Sequence, residues 1–246
     1  MSALPTVIIV GAMKCGTTSL HRYLDLHPQT AMSHPKELNF FIGPDVAADG
    51  TGWARGNWHR GTAWYAAHFD PSAQVRGEAS PGYTSPDHPE VAGRMAALLP
   101  SARLVYAVRD PIDRAVSQYR HHRREGTERR PLAEALLDPA SQYVSRGRYF
   151  ERLAPFLACG AFADRITIVA QEELRQQRRS ALRRLFADLR IDHGFWSPDM
   201  AARWNESRDE PPAIPDRVRH ELAERLRDDA ERLRQFAGRG FPGWTV

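Results

Sequence analysis

A short stretch near the start of the chain, KCGTTS, combines a lysine, a glycine and three hydroxyl residues at Lys14, Gly16 and positions 17–19. It follows an apolar run at 7–10 and precedes a helical pattern. A loop that turns from a strand into a helix directs backbone N–H groups and the positive end of the helix dipole at one point, which favours an anion. A plain strand-to-helix turn with a capping threonine uses the same residue types and remains the alternative.

The position of Lys14 distinguishes this loop from that of a nucleoside-triphosphate enzyme. In the pattern G-x-x-x-x-G-K-[ST] the lysine follows the second glycine, whereas Lys14 precedes Gly16 by two residues. A lysine on this side can reach the bridging oxygen of a diphosphate-like group. The stretch LVYAVRD resembles a magnesium-binding strand, but an arginine precedes its aspartate and a proline follows it. These features disfavour a metal-dependent kinase, which stays an alternative.

Lysine is rare in this chain, and both lysines lie in motif-like stretches. Of 34 basic residues only two, Lys14 and Lys36, are lysines. A lysine kept where arginine is the rule suggests a need for a compact ammonium group, although chance explains two such positions equally well. Lys36 is followed by Glu37, a candidate general base. The alternative is a surface glutamate on a loop that Phe40 and Phe41 anchor in the core.

Arg109 and Ser117 form a second candidate site for an anion. Arg109 directly follows an apolar run at 103–108, and Ser117 comes two helical turns later. An arginine fork at a strand end, with a hydroxyl on the next helix, suits a phosphate monoester. An ion pair of Arg109 with Asp110 or Asp113 is the alternative.

Three apolar runs predict the buried strands that position these residues, at 7–10, 103–108 and 165–170. Helical patterns occupy 17–26, 62–69, 89–99, 112–124, 132–137, 149–158, 172–189 and 215–236, and residues 42–62 read as a long surface loop. Strands separated by helices predict an α/β fold, a single domain over 1–246 with a central parallel sheet flanked by helices. Ligands of such sheets bind at the carboxyl ends of the strands, where Lys14 and Arg109 lie.

Size and composition exclude several classes of protein. The chain has 246 residues, 42% of them hydrophobic and 26% charged, with a formal net charge of +4. This modest charge gives no reason to expect nucleic acid as a partner. No apolar stretch approaches the roughly 18 residues of a membrane span, and the first ten residues lack the features of a signal peptide. Cys15 and Cys159 are not spaced as metal ligands, and Cys15 lies inside the loop, which argues against a structural disulfide; we therefore expect a reducing, cytoplasmic environment.

Six motifs taken together resemble one known family. KCGTTSL, KELNFF, WYAAHF, EASPGY, VRDPIDRAVSQY and GRYFERL occur in this order. They are similar to the sulfotransferases that use 3′-phosphoadenosine 5′-phosphosulfate (PAPS), most closely to the branch with the heparan sulfate sulfotransferase domains, here in a soluble, bacterial-type form. The resemblance covers roughly residues 6–173. It implies a P-loop-like phosphosulfate-binding loop, PAPS as donor, 3′-phosphoadenosine 5′-phosphate (PAP) as product and no required metal.

The resemblance also implies roles for individual residues. Glu37 would be the catalytic base, and Lys14 would stabilise the leaving group. Arg109 and Ser117 would hold the 3′-phosphate. The phosphosulfate loop would comprise Lys14, Cys15, Gly16, Thr17, Thr18 and Ser19.

Other donor contacts follow more loosely from the resemblance. Arg146 and Gly147 precede a helix and are candidates for the nucleotide site, although a simple loop explains them nearly as well. The stretch WNESRDEP stands where the family has a loop that closes over the nucleotide, which makes Asn205, Ser207 and Arg208 candidates. The branch's lysine-glycine-arginine pattern and its cysteine-paired hairpin are absent here.

The acceptor is a hydroxyl of a small molecule or a glycan, with nitrogen as an alternative to oxygen. A bacterial glycan, lipid or secondary metabolite is favoured over a Golgi polysaccharide, because no secretory signal or membrane span is visible. A basic stretch at 120–130 reads either as a solvated helix face or as a site for an anionic acceptor. A nucleotide-binding module without catalysis is a further alternative, and the oligomeric state is not predicted. The candidate acceptor-binding residues are Lys36, Phe40, Trp53, Trp58, Tyr83 and His122.

Overall fold

The protein is represented by a computed structural model that describes residues 3–43, 56–202, 204 and 212–246. Its described part contains a sheet of five strands in the order β2-β3-β1-β4-β5, and every neighbouring pair is parallel. The strands are β1 (Val7–Gly11), β2 (Thr30–Met32), β3 (Val75–Ala79), β4 (Arg103–Val108) and β5 (Ile166–Ala170).

Helices connect and cover these strands. They are α1 (Thr17–Asp25), α2 (Gly61–Ala66), α3 (Val91–Leu98), α4 (Pro111–Arg124), α5 (Leu132–Leu137), α6 (Gln142–Ser145), α7 (Tyr149–Ala158), α8 (Gln171–Gln176), α9 (Arg178–Asp188) and α10 (Asp216–Ala237). Short 3₁₀ turns lie at Trp58–Arg60, Pro81–Thr84 and Pro198–Ala201. None of the helices within the described ranges is long and apolar enough to cross a membrane.

The predicted α/β fold with a central parallel sheet is confirmed. The three apolar runs are strands, and all five residues of β1 are buried. Strand β4 is buried along its length except at Arg103, which is partly exposed. Such runs identify strands covered on both faces, because each side chain meets a layer of helices.

One predicted helix is wrong. The pattern at 172–189 predicts a continuous helix, but α8 ends at Gln176 and α9 begins at Arg178. Between them Gln177 leaves helical geometry with φ −135° and ψ 42°. The guanidinium of Arg178 donates to the carbonyls of Leu174 and Met200, at 3.1 and 3.0 Å. A helix break that depends on such contacts needs no glycine or proline, so the sequence pattern does not reveal it.

Two strands and one helix were not predicted. Strand β2 has three residues, and β3 reads VRGEA, in which arginine, glycine and glutamate interrupt any apolar run. Helix α6 is a single turn. Because all five strands are parallel, the segments that follow them meet at one edge of the sheet. This edge receives the loop after β1, the segment after β2, and Arg109 after β4.

Candidate active site

The loop between β1 and α1 has the backbone geometry of an anion site. Gly16 is the N-cap of α1 with φ 85°, in the left-handed region that favours glycine. The side-chain amide of Gln171 lies 3.0 Å from where a Cβ of residue 16 would stand. Within the described part of the chain, no side chain caps the first turn of α1, and that turn carries no acidic residue. The positive end of the helix therefore has no compensating side chain.

Lys14 lies in this loop with a positive φ of 69°. It forms no hydrogen bond or ion pair with any residue that the structure describes. Burial lowers the pKa of Lys14 from its ordinary 10.5, and the charge of Arg124 lowers it further, whereas Glu125 raises it. Arg109 and Lys36 add smaller effects that lower it. Several cations thus act on an ammonium group that forms no ion pair with a described residue, and Glu125 opposes them only in part; such a field attracts a polyanion.

Lys36 links the segment after β2 to the first turn of α1, directly after the loop between β1 and α1. Its Nζ donates to Thr18 Oγ1 at 3.1 Å and lies 2.8 Å from Glu37 Oε1. The Lys36 side chain is 20% exposed and that of Glu37 is 37% exposed. The carboxylate of the predicted base is therefore accessible and is held beside the first turn of α1 through one ammonium group.

Arg109 lies at the carboxyl end of β4. Its side chain is 16% exposed, and Nη2 pairs with Asp113 Oδ2 at 3.2 Å. The ion pair that the sequence left as an alternative is therefore present, but Asp113 is 52% exposed, and such a surface pair adds little stability. Ser117, partly buried, stands one turn beyond Asp113 on α4, so both face the same side of the helix.

Tyr149 ties the two strand ends together. Its hydroxyl donates to the Arg109 carbonyl at 2.8 Å and lies 3.4 Å from Cys15 Sγ. Burial raises the pKa of the Cys15 thiol to about 11, so the cysteine is a neutral packing group of the loop. The role of Tyr149 was not predicted, because a buried tyrosine at a helix start has no distinguishing sequence signal.

Arg146 and Gly147 lie beside the loop, in contact with protein groups. The Arg146 side chain is 5% exposed, and Nη2 donates to Ser85 Oγ at 2.9 Å and to Asp87 Oδ2 at 3.0 Å. Burial lowers the pKa of Arg146 to about 10, an effect that Asp87 opposes. A Cβ at Gly147 would come within 3.3 Å of Leu226, so this glycine allows close packing against α10. Their contact with a nucleotide stays a prediction.

The predicted acceptor-binding residues divide by burial. Phe40 and Tyr83 are each 1% exposed, and Phe40 stacks on Tyr65 with 4.1 Å between ring centroids. Trp58 is partly buried against Phe40. The structure thus places Phe40 and Tyr83 in the core, where they hold the surrounding backbone and do not line an open surface. Their contact with an acceptor, like that of Trp58, stays a prediction.

His122, another predicted acceptor-binding residue, contacts a tyrosine. His122 Nδ1 lies 3.0 Å from Tyr143 Oη, and burial lowers the pKa of the imidazole.

The remaining candidates lie outside the described residues, namely Trp53, Asn205, Ser207 and Arg208. The adjacent Trp204 is described, and its carbonyl accepts a hydrogen bond from Ser19 Oγ at 3.0 Å. Among the described residues, no cluster of three or more His, Cys, Asp or Glu could hold a metal ion.

A comparison with protein-family models matches residues 5–197 to one model, described as the sulfotransferase family. The chain belongs to the sulfotransferase family. This result confirms the resemblance drawn from the six motifs, including the class of enzyme.

Known relatives agree with this assignment. The chain is 37% identical over 132 residues to bifunctional heparan sulfate N-deacetylase/N-sulfotransferase 2 of Bos taurus, and 36% identical over 121 residues to membrane-associated sulfotransferase kil1 of Dictyostelium discoideum. These matches cover 50% and 47% of the chain, but only 13% and 22% of the two relatives. A sulfotransferase crystal structure from Alicyclobacillus acidocaldarius is 28% identical, with a TM-score of 0.80, over 99% of this chain and 100% of that one.

Proposed function

We propose that this sulfotransferase moves a sulfuryl group from PAPS to a hydroxyl of a small molecule or a glycan by in-line displacement. Such a transfer requires removal of the acceptor proton, stabilisation of the charge left on the departing bridging oxygen, and alignment of the reacting groups. The chain offers a residue for each of the first two steps, and these residues follow two parallel strands that end at the same edge of the sheet.

In this proposal Glu37 Oε accepts the proton of the attacking hydroxyl, and Lys14 Nζ neutralises the departing oxygen. Glu37 is accessible at 37% exposure, as a base that meets an incoming acceptor must be. Lys14 is free of partners among the described residues, so it need break no ion pair to meet the donor. Positioned groups of these kinds each contribute on the order of 10²–10³-fold in rate.

The observation that carries the proposal is the Lys36 bridge. One ammonium group contacts both Thr18 in the first turn of α1, at 3.1 Å, and the Glu37 carboxylate, at 2.8 Å. Two motifs separated in sequence are thereby joined at the point where donor and acceptor would meet. In this proposal Lys36 would also contact sulfuryl oxygens when the donor occupies the loop.

The residues present fit the charges of the donor. The first turn of α1 lacks a side-chain cap, which suits the 5′-phosphosulfate. Arg109 is mostly buried and paired only weakly with an exposed aspartate, so a phosphate can compete for its guanidinium. Ser117 follows on the same face of α4. This arrangement supports a 3′-phosphate site separate from the loop.

The name of one relative supports part of the proposed acceptor class. One relative is named for heparan sulfate N-sulfotransferase activity, which supports a glycan acceptor and keeps nitrogen open beside oxygen. A cytoplasmic location and a bacterial small-molecule acceptor remain part of the proposal.

Ligand-dependent thermal unfolding tests the donor site. A ligand that binds the folded state raises Tm by mass action. We expect PAP to raise Tm and ATP with Mg²⁺ to leave it nearly unchanged. The reverse result would favour an atypical nucleotide kinase and overturn the proposal. Binding of PAP without transfer of labelled sulfur from PAPS to any acceptor in a panel of alcohols, phenols, amines and sugars would instead indicate a nucleotide-binding module without catalysis.

Glu37→Ala tests the base once the panel has supplied an acceptor. We expect kcat to fall about 10²–10⁴-fold while the Kd for PAP changes less than about twofold, because the carboxylate acts on the acceptor. Glu125→Ala is the matched control, since Glu125 is a carboxylate that raises the pKa of Lys14 and has no part in the proposed proton transfer. An active Glu37→Ala enzyme, or an equal loss in Glu125→Ala, would contradict the role of Glu37.

A further inference from the structure

A fully buried carboxylate lies beneath the segment that carries Glu37. Glu78 on β3 is 0% exposed, and its oxygens accept four hydrogen bonds. Oε1 accepts from the hydroxyls of Tyr65 and Tyr83, both at 2.7 Å. Oε2 accepts from Ser80 Oγ at 2.6 Å and from the Leu38 amide at 3.3 Å. Glu78 is the first residue of the EASPGY motif, but neither the resemblance nor the proposed reaction gives this carboxylate a role.

The same network reaches three consecutive backbone amides. Besides the Leu38 amide, the Asn39 amide donates to Ser80 Oγ at 3.0 Å, and the Phe40 amide donates to Tyr83 Oη at 2.9 Å. Both hydroxyls are themselves bound to the buried carboxylate. Residues 38–40, which directly follow the proposed base, are therefore fixed either by the carboxylate or by a hydroxyl that the carboxylate orients.

We propose that Glu78 is a positioning residue that fixes the backbone of residues 38–40 and thereby holds the Glu37 carboxylate beside the phosphosulfate loop. This inference rests on the proposed function, because it assigns Glu78 an effect on the reaction only through Glu37. Glu78 touches neither donor nor acceptor.

A carboxylate that served only to fill space in the core would lose hydration energy without any benefit to packing. Desolvation raises the pKa of Glu78, and the hydrogen bonds from Ser80, Tyr65 and Tyr83 oppose that rise. A well-packed apolar side chain in such a position is often as stabilising as a buried ionic network. A satisfied network instead gives directional constraints, and catalytic groups must be held within about 0.5 Å of the productive geometry.

Two tyrosines provide a matched test of this inference. Tyr65 and Tyr83 are both buried, and each donates to Glu78 Oε1 at 2.7 Å, but only Tyr83 also accepts from the Phe40 amide. We expect Tyr83→Phe to lower kcat about 10- to 100-fold with PAP affinity unchanged, and Tyr65→Phe to lower kcat less than about threefold. Hydrogen exchange at the Phe40 amide should accelerate only in Tyr83→Phe.

A double-mutant cycle separates positioning from general stability. Glu78→Gln leaves two of the four donors without an oxygen acceptor, and we expect it to lower kcat about tenfold or more in the wild-type background. In a Glu37→Ala background the same change should have almost no further effect, because a positioning residue needs the group that it positions. PAP affinity should stay within about twofold in all variants.

Each outcome bears on a different claim. An equal loss of kcat from Glu78→Gln in both backgrounds, or equal losses from Tyr65→Phe and Tyr83→Phe, would overturn the positioning role while leaving Glu37 as the base. An active Glu37→Ala enzyme would overturn the proposed function itself. If Glu78→Gln does not fold, the tyrosine pair decides the inference alone.

Discussion

Replacing Arg109 by alanine tests the proposed 3′-phosphate site, because few side-chain contacts of its guanidinium are lost in this change. Its guanidinium has one described side-chain partner, Asp113 at 3.2 Å, which is itself 52% exposed. Removing such a surface pair costs about 0–1 kcal/mol of stability. Arg109→Ala should therefore fold normally, so that a change in ligand binding reports the site.

The expected loss of affinity follows from the charge and burial of the guanidinium. A hydrogen bond to a charged group contributes about 1.5–3 kcal/mol, which corresponds to about 10- to 150-fold in Kd. With the side chain 16% exposed, Arg109 lies toward the upper part of this range. Calorimetric titration with PAP and with adenosine 5′-phosphate separates the two phosphates. We expect Arg109→Ala to weaken PAP and to leave adenosine 5′-phosphate nearly unchanged.

Asp113→Asn is the control that the ion pair provides. It removes the competing carboxylate and keeps the guanidinium, so PAP should bind equally well or up to about fivefold more tightly. Unchanged PAP affinity in Arg109→Ala would show that the 3′-phosphate is held elsewhere. Equal weakening of both nucleotides would place Arg109 at the 5′ end and refute the division into two phosphate sites.

Two further predictions address the loop and its surroundings. Because burial and neighbouring cations lower the pKa of Lys14 and the ammonium is the active form, kcat/KM should fall with rising pH below 10.5, and Lys14→Arg should remove this alkaline limb; a wild-type profile level to pH 10.5 would contradict it. Gly147→Ala should lower Tm, because the new methyl group would lie 3.3 Å from both Leu226 Cδ2 and the Val144 carbonyl, and an unchanged Tm would contradict this packing role; a selective loss of PAP binding would support the predicted nucleotide contact of Gly147.

The strands that consist of consecutive apolar residues could be predicted from the sequence. β1 and β4 are apolar along almost their whole length, and the loop and Arg109 follow them directly, so their meeting at one edge was predictable. β3 was missed for a physical reason, because its Glu78 is buried through hydrogen bonds from four separate positions. In the sequence such a glutamate suggests an exposed position, because the residues that donate hydrogen bonds to it in the fold are not visible there.

The same reason limits the prediction of the site. Lys14 and Gly16 lie in one contiguous motif, whereas the contact of Lys36 with Thr18 depends on how the segment after β2 crosses the sheet edge. Tyr149 lies 134 positions from Cys15, and nothing local marks their contact. Motif resemblance supplied the candidate site residues, and the fold supplied several of the distances between them.

The two lysines have different electrostatic surroundings, which gives a reason why each position carries lysine in a chain rich in arginine. Lys36 is neutralised by Glu37 and hydrogen-bonded to Thr18, so its compact ammonium fits between two oxygens where a planar guanidinium would need a wider space. Lys14 forms no ion pair with a described residue; burial and nearby cations disfavour its charged form, whereas Glu125 favours it. A polyanion in the loop would offset the burial and the repulsion, which would favour binding of the proposed donor.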